Sequence, residues 1–126
     1  MIIDFYRKYP ISVSKSQGVI VINKVYSLLG LAKRAGRLSS GESGCKDAVR
    51  FGKSRLIVIA ADTGTNTRKS ISDSCAYYGV PIYTVGTMTE LGHAVGNRFN
   101  AVLSVNDEGF AKSIEKQICA NINGGE

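Results

Sequence analysis

Along this chain, segments whose apolar residues have helical spacing alternate with segments whose apolar residues are typical of strands. A first helix is predicted from Asn23, which can cap it, to Gly36, which suits the left-handed end of a helix. Its apolar stripe consists of Val25, Leu28, Leu29 and Ala32. The aliphatic run "RLIVIAAD" (residues 55–62) does not alternate with polar residues, which predicts a strand that is covered on both faces.

The same alternation continues along the rest of the chain. Short strands are predicted at "RLSSG", "VPIYTV" and "AVLSV". The later helices have apolar stripes at Cys45, Ala48 and Val49, at Ile71, Cys75 and Tyr78, at Met88, Leu91 and Val95, and at Phe110, Ala111, Ile114 and Ile118. Two helix starts carry their own signal, a capping box in "TMTE" (residues 87–90) and a capping carboxylate at Asp107. Strands that alternate with helices predict an α/β sheet with helices on both faces.

The predicted domain covers residues 23–119 of a chain of 126 residues, a length that suits one domain. Residues 1–22 lie outside the alternation and either add an edge strand or stay mobile, and residues 120–126 are expected to form a flexible tail. The N-terminal stretch has no apolar run long enough for an export signal or a membrane span. The three cysteines are odd in number and widely spaced, which fits a reducing compartment. We therefore expect a cytoplasmic protein with no membrane association.

The charge of the chain is positive and unevenly distributed. Sixteen Lys and Arg residues against ten Asp and Glu residues give a net charge of +6. Residues 23–55 hold eight cations and two carboxylates, whereas residues 56–126 hold five cations and seven carboxylates. Such a polarised surplus favours a polyanionic partner, nucleic acid above all.

The loop that follows "RLIVIAAD" resembles a nucleotide cradle only superficially. It contains a single glycine, Gly64, and lacks the Gly-Lys-Ser/Thr sequence that a phosphate loop places at a helix start. A structural role is favoured, in which Thr65 or Asn66 caps the next helix and Asp62 accepts hydrogen bonds from loop amides. No small-molecule substrate or cofactor is therefore expected.

No catalytic or metal-binding group of residues is evident either. The single histidine, His93, has no nucleophile or further metal ligands at a suitable spacing. Cys45 is near a helix start, where its pKa could be lowered, but its place on an apolar stripe favours a core role. We therefore expect neither a metal nor enzymatic activity.

The start of the second predicted helix is the strongest candidate for an anion site. Gly41 in "SSGES" would leave backbone amides uncovered at a helix start, and Ser43 adds a hydroxyl group. Lys46, Arg50 and Lys53 are spaced to share one helix face. Arg37 precedes this helix, with Lys33 and Arg34 before it. The alternative interpretation is a basic helix face that only contacts solvent.

From about Lys24 to Ile118 the chain resembles the L7Ae family of ribosomal proteins, most closely its small bacterial YlxQ-type members. The resemblance depends on Gly41, "GKSRLIVIAAD" (residues 52–62), "NTRK" (residues 66–69), the Cys75 before "YYGVP", and "ELGHAVG" (residues 90–96). It implies a three-layer α-β-α sandwich around a four-stranded mixed sheet. It also implies binding to kink-turn RNA, in which a bulge and adjacent sheared G·A pairs bend the duplex sharply.

By the same resemblance, two segments of the chain contact RNA. They are the start of the second helix (Gly41, Glu42, Ser43, Gly44 and Lys46) and the loop before the fourth (Val85, Gly86, Thr87 and Met88), and we add Arg37 and Arg50 as neighbouring cations. Archaeal and eukaryotic members of the family carry the motif Gly-x-Asn-Glu-x-x-Lys at this helix, and its Asn and Glu recognise the G·A pairs. Here "GESGCKD" puts Ser43, Gly44 and Asp47 in place of Asn, Glu and Lys. We expect general RNA binding with weaker or different kink-turn selectivity.

Together these patterns favour a non-catalytic, monomeric RNA-binding protein. Its expected partner is a structured, kink-turn-like RNA, ribosomal RNA included, in a ribosomal or other ribonucleoprotein context. The alternative hypothesis is a protein-interaction adaptor that uses the same sandwich fold and docks an acidic partner protein on its basic face.

Overall fold

The structure, a computed structural model, describes residues 11–12 and 15–123, and the side chains of residues 23–120. The elements are β1 (Ile11–Ser12), α1 (Lys15–Arg34), β2 (Leu38–Ser40), α2 (Glu42–Arg50), β3 (Leu56–Ile59), α3 (Thr65–Tyr78), β4 (Ile82–Thr84), α4 (Met88–Ala94), β5 (Val102–Val105) and α5 (Glu108–Asn123). Residues 1–10 and 13–14 of the predicted extension (residues 1–22) and residues 124–126 of the predicted tail (residues 120–126) lie outside the described residues.

The described strands form one mixed sheet in the order β1-β4-β3-β5-β2. β3 and β4 run parallel to each other, and β5 runs antiparallel to both β3 and β2. These four strands are the predicted four-stranded mixed sheet, which is confirmed. β1 adds an edge strand parallel to β4, with Ile11 opposite Tyr83 and Ser12 opposite Thr84.

Helices cover both faces of the sheet, which confirms the three-layer α-β-α sandwich. On one face, α1, α4 and α5 pack over a core that includes Leu29, Val58, Tyr83, Leu91, Leu103 and Ile114. On the other face, α2 and α3 pack over Cys45, Val49, Ile57, Ile59, Ile71, Cys75, Ile82 and Val102. β3 is buried along its whole length between the two layers, as its uniform apolar sequence predicts.

The start signals of α4 and α5 are confirmed. The Thr87 hydroxyl accepts the Glu90 backbone N–H at 3.2 Å, and the Glu90 carboxylate accepts the Thr87 N–H at 3.0 Å, which completes the capping box. At the start of α5, the Asp107 carboxylate accepts the Phe110 N–H at 3.0 Å. α4 is therefore fixed at the end that follows β4.

Two local predictions are wrong. Asn23 does not cap α1, because the helix begins at Lys15 and Asn23 lies inside it as an exposed residue. An exposed asparagine inside a helix costs less than about 1 kcal/mol relative to alanine, too little to end a helix. Tyr78 does not belong to the apolar stripe of α3, since it is 45% exposed while Ile71 and Cys75 are buried.

Candidate functional site

The sheet topology brings four connections to one edge, which we call the site edge. β2, β3 and β4 end at this edge and β5 begins there. The site edge consists of residues 41–46, 60–68, 85–90 and 96–101. Backbone hydrogen bonds join the connections: the Gly41 N–H donates to the Val102 carbonyl at 3.1 Å, and the Ala61 N–H to the Gly86 carbonyl at 2.8 Å. Both segments that the family resemblance implicates in RNA contact therefore lie on one surface.

The start of α2 is uncapped, as the sequence predicts. Gly41 is the N-cap residue, with φ 84° and ψ 160°, and among the described residues no side chain accepts a hydrogen bond from the first turn. The amides of Glu42, Ser43 and Gly44 have no carbonyl four residues earlier within the helix. The first turn of α2 therefore offers backbone donors, together with the positive end of the helix dipole, at the site edge.

Two side-chain hydrogen bonds hold the start of α2 against α3. The Thr67 hydroxyl donates to the Glu42 carboxylate at 2.9 Å, and the Lys46 ammonium donates to the Ser70 hydroxyl at 2.8 Å. α3 itself begins after Gly64 with no side-chain cap, so the expected caps from Thr65 or Asn66 are wrong. Two helix starts without side-chain caps thus lie side by side at the site edge.

Arg68 organises the connection after β3, a role that sequence reasoning missed. Its guanidinium donates to the Ala60 carbonyl at 2.7 Å and to the Thr84 hydroxyl at 3.1 Å, which ties the ends of β3 and β4 together. Asp62 does accept a backbone amide, as expected, but the donor is the Met88 N–H at 2.8 Å at the start of α4. The only signal for Arg68 was its place in "NTRK".

The connection after β4 exposes less apolar surface than its sequence suggests. Val85 is fully buried in the core, so this predicted contact residue exposes no surface to a ligand. Gly86 has φ 62°, and a Cβ atom at this position would overlap the Tyr26 hydroxyl oxygen. The Thr87 hydroxyl is used in the capping box, and Met88 is half-buried. A ligand here would meet the backbone of Gly86 and part of Met88.

The predicted cations are not all gathered at the start of α2. Lys46 lies in the second turn, but Arg50 is the last residue of α2, about 12 Å along the helix axis from the first residue, Glu42. Arg37 precedes β2 at the opposite end of the sheet, where its carbonyl accepts the Asn106 N–H at 2.9 Å. Lys53 lies beyond the end of α2, so its expected place on the helix face is wrong.

The exposed face of α2 is nevertheless a continuous groove of about 400 Å³. Its lining residues are Glu42, Ser43, Lys46, Asp47 and Arg50, which confirms that Lys46 and Arg50 share one face. Carboxylates balance the cations here, and Asp47 forms an ion pair with Arg50 at 3.0 Å. The four connections of the site edge together hold three cations (Lys46, Arg68 and Arg98) and three carboxylates (Glu42, Asp62 and Glu90). The site edge is therefore close to electrically neutral.

Phe99 is a second residue of the site edge that sequence reasoning missed. Its side chain is 62% exposed. The segment around it is fixed, because the Asn100 N–H donates to the Met88 carbonyl at 2.9 Å and the Asn97 amide donates to the Asn100 side chain at 2.8 Å. Phe99 belongs to no apolar stripe, and this isolation was the available signal.

The cysteines near the site are core residues, as expected for Cys45. Burial raises the pKa of Cys45 to about 12, with a further contribution from the neighbouring Cys75, whose own pKa burial raises to about 12. Both thiols therefore stay protonated at neutral pH and are poor nucleophiles.

None of the described helices is long and apolar enough to cross a membrane.

Comparison with known proteins finds a matching family model and several similar proteins. The model of the ribosomal protein L7Ae/L30e/S12e/Gadd45 family matches residues 23–115. RNA-binding protein YlxQ of Bacillus subtilis is 36% identical over 89 residues, which is 71% of this chain and 89% of that protein. RNA-binding protein YlxQ of Enterococcus faecium is 34% identical over 95 residues, 75% of this chain and 91% of that protein.

Two solved structures share the fold. A protein of unknown function from Bacillus halodurans superposes with a TM-score of 0.74 at 38% identity, covering 76% of this chain and 97% of that chain. The Giardia lamblia 15.5kD RNA binding protein has a TM-score of 0.70 at 20% identity, covering 91% of this chain and 97% of that chain. The second likeness supports the fold alone.

Proposed function

We propose that this chain, which belongs to the ribosomal protein L7Ae/L30e/S12e/Gadd45 family, binds structured RNA at the site edge and prefers sharply bent RNA of the kink-turn kind. The observation that carries the proposal is the uncapped start of α2 at Gly41, which lies at the same edge of the sheet as the Gly86–Met88 loop. The names of the YlxQ relatives, which describe RNA-binding proteins, support RNA binding. We further propose a monomeric, non-catalytic protein of a cytoplasmic ribonucleoprotein.

Each part of the site edge has a distinct role in this proposal. The amides of Glu42, Ser43 and Gly44 donate to phosphate oxygens or to guanine acceptors, with the helix dipole behind them. Hydrogen bonds to Thr67 and Ser70 hold the side chains of Glu42 and Lys46 in place in the free protein. These two side chains therefore lose little conformational entropy when RNA binds. Met88 and Phe99 supply the apolar surface that covers bases splayed out by the bend.

The near neutrality of the site edge affects how selectivity arises. With cations and carboxylates balanced, attraction of phosphates contributes little there, so recognition depends on RNA shape and on the direction of the amides. Gly44 offers no side chain to a guanine, yet a Cβ atom at this position would meet no atom of the described residues within 4 Å. The site therefore has room for the glutamate that the family motif carries.

The test measures affinity for a kink-turn RNA and for a straight duplex of equal length, at several salt concentrations. Wild-type protein is expected to prefer the bent RNA. Met88→Asp should remove much of this preference, because it places a charge on the surface that meets splayed bases. Thr89→Asp is the control, since it adds the same charge at an exposed neighbour turned about 100° around the helix.

A gain-of-function arm uses Ser43→Asn together with Gly44→Glu, which restores two motif residues. The preference for bent RNA should rise about tenfold, the scale of one good bidentate contact to a base. An equal affinity of wild-type protein for bent and straight RNA would refute the proposed selectivity. Failure to bind either RNA would instead favour the adaptor hypothesis.

A further inference from the structure

The cations missing from the site edge are gathered at the opposite edge of the sheet, which we call the basic edge. It consists of residues 33–37, 50–55, 78–81 and 106–112, where α1, α2 and α3 end and α5 begins. β2, β3 and β4 begin at this edge and β5 ends there. Residues that are distant in the sequence are therefore brought together by topology.

The basic edge carries a surplus of positive charge. Its seven cations are Lys33, Arg34, Arg37, Arg50, Lys53, Arg55 and Lys112. The carboxylates are fewer: Asp107 and Glu108 lie within the edge, and Asp47 and Glu115 lie at its border. Arg50 forms an ion pair with Asp47, and Arg55 and Lys112 each form an ion pair with Glu108. The other four cations form no ion pair with any described residue, so their charge remains available to an anion.

Two of the arginines are held at a fixed separation by the sheet. Arg37 precedes β2 and Arg55 precedes β3, and these strands lie on either side of β5. Leu38 and Leu56 both pair with Val105, so the two arginines flank the end of β5. Two strand spacings put their backbones about 10 Å apart. A polyanion that follows the edge can therefore engage both arginines.

Exposed aromatic rings lie among these cations. Phe51 is 65% exposed, and the Arg50 guanidinium lies 5.0 Å from the centroid of its ring. Tyr77 and Tyr78 are exposed at the end of α3, with ring centroids 4.8 Å apart. A groove of about 350 Å³ beside them is lined by Arg50, Arg55, Tyr78, Lys112 and Glu108, among others.

We propose that the basic edge is a second RNA-binding surface, and that its ligand is single-stranded RNA. Cations that follow a sugar–phosphate backbone, interspersed with rings on which bases stack, are the combination that proteins use for unpaired strands. A duplex would use the cations but would leave the rings without bases to stack on. Because the two edges lie at opposite ends of the strands, the protein can hold a bent duplex and an unpaired segment at once.

The test measures binding of the full chain to a 12-nucleotide uridine oligomer by fluorescence anisotropy at several salt concentrations. Phe51→Ala should weaken binding about tenfold, within the range for loss of one stacked base. Leu31→Ala is the control, since Leu31 is an exposed apolar residue of α1, 49% exposed, that belongs to neither edge. Leu31→Ala should leave oligomer binding unchanged.

A second pair of variants tests the charges. Lys53→Ala with Arg55→Ala should reduce the log–log salt slope for the oligomer by about 1.4, which corresponds to two lost phosphate contacts on a single strand. Lys24→Ala with Lys116→Ala removes two exposed cations from the middle of α1 and α5 and should leave that slope unchanged. A thermal melt of each variant checks that the fold is intact.

The outcomes separate this inference from the proposed function. Loss of oligomer binding in the basic-edge variants, with bent-RNA preference retained, would support a second surface. Equal losses in the test and control variants, or no binding of the oligomer, would overturn it. Equal losses for the oligomer and for a straight duplex in Phe51→Ala would overturn the assignment to single strands. A protein that binds the oligomer but shows no bent-RNA preference would refute the proposed function alone.

Discussion

The backbone at Gly41 allows the start of α2 to be tested with one pair of substitutions. Gly41 has φ 84° and ψ 160°, a region that residues with a Cβ atom avoid at a cost of about 1–3 kcal/mol. Gly44, three residues later, is helical. A Cβ atom would meet nothing within 4 Å at either position, so neither alanine creates a steric clash. The two glycines therefore differ in backbone conformation and not in available space.

Replacing each glycine by alanine changes the unfolded chain in the same way. The gain from reduced unfolded-state entropy, about 0.4–1 kcal/mol, is therefore common to Gly41→Ala and Gly44→Ala. Gly44→Ala should stabilise the protein by that amount, and Gly41→Ala should be less stable than Gly44→Ala by about 1–3 kcal/mol. Urea unfolding measures this difference directly from the midpoints, provided that the slopes agree.

The same pair tests the role of the amides in RNA binding. Gly41→Ala should also weaken RNA binding, because the first turn must shift to relieve the strain and the amides then change direction. Gly44→Ala leaves the helical backbone unchanged and should retain binding. If the two variants are equally stable, the conformation assigned to Gly41 is wrong. If they are equally active on RNA, the direction of the amides does not matter.

Two further predictions concern the packing at Gly86 and the buried thiols. Gly86→Ala should destabilise the fold by about 1–3 kcal/mol, since its Cβ atom would overlap the Tyr26 hydroxyl oxygen. In a Tyr26→Phe background the penalty should shrink, and an unchanged penalty in urea unfolding would show that the ring simply moves aside. Burial raises the pKa of Cys45 and of Cys75 from 9.0 to about 12, so above pH 9 the unfolded chain loses thiol protons that the folded chain keeps. Stability should therefore fall as pH rises from 9 towards 12, by about 1 kcal/mol per thiol at pH 10. Cys45→Ala with Cys75→Ala should flatten that decline in urea titrations, and an equally steep decline would contradict the assigned burial.

Features that depend on residues close in sequence were predicted well. The capping box of α4 needs only Thr87 and Glu90, three positions apart, and both of its hydrogen bonds are present. The uncapped start of α2 follows from Gly41 alone, because a glycine has no side chain with which to cap. Burial of β3 on both faces follows from its uniform apolar sequence. In each case the deciding interaction is local or depends on hydrophobicity.

Features that depend on how elements cross the sheet were predicted poorly. Arg37 and Gly41 are four positions apart, yet the strand between them places them at opposite edges. The positive segment of the sequence is therefore divided in space, and most of its cations lie at the basic edge. Arg68 could not be assigned a role, because its acceptors, Ala60 and Thr84, come from two strands that only the folded sheet brings together. Sequence position alone cannot supply that proximity.

The short strand β1 has a consequence for how the molecule behaves in solution. Without it, β4 would be the outermost strand on its side, and the backbone groups of Tyr83 and Thr84 that face β1 would be unpaired. Unpaired strand borders recruit strands from other molecules, which is a common origin of aggregates. Ile11 and Ser12 cover part of this border with a strand of only two residues, and such short edge strands disfavour pairing with the sheet of another molecule.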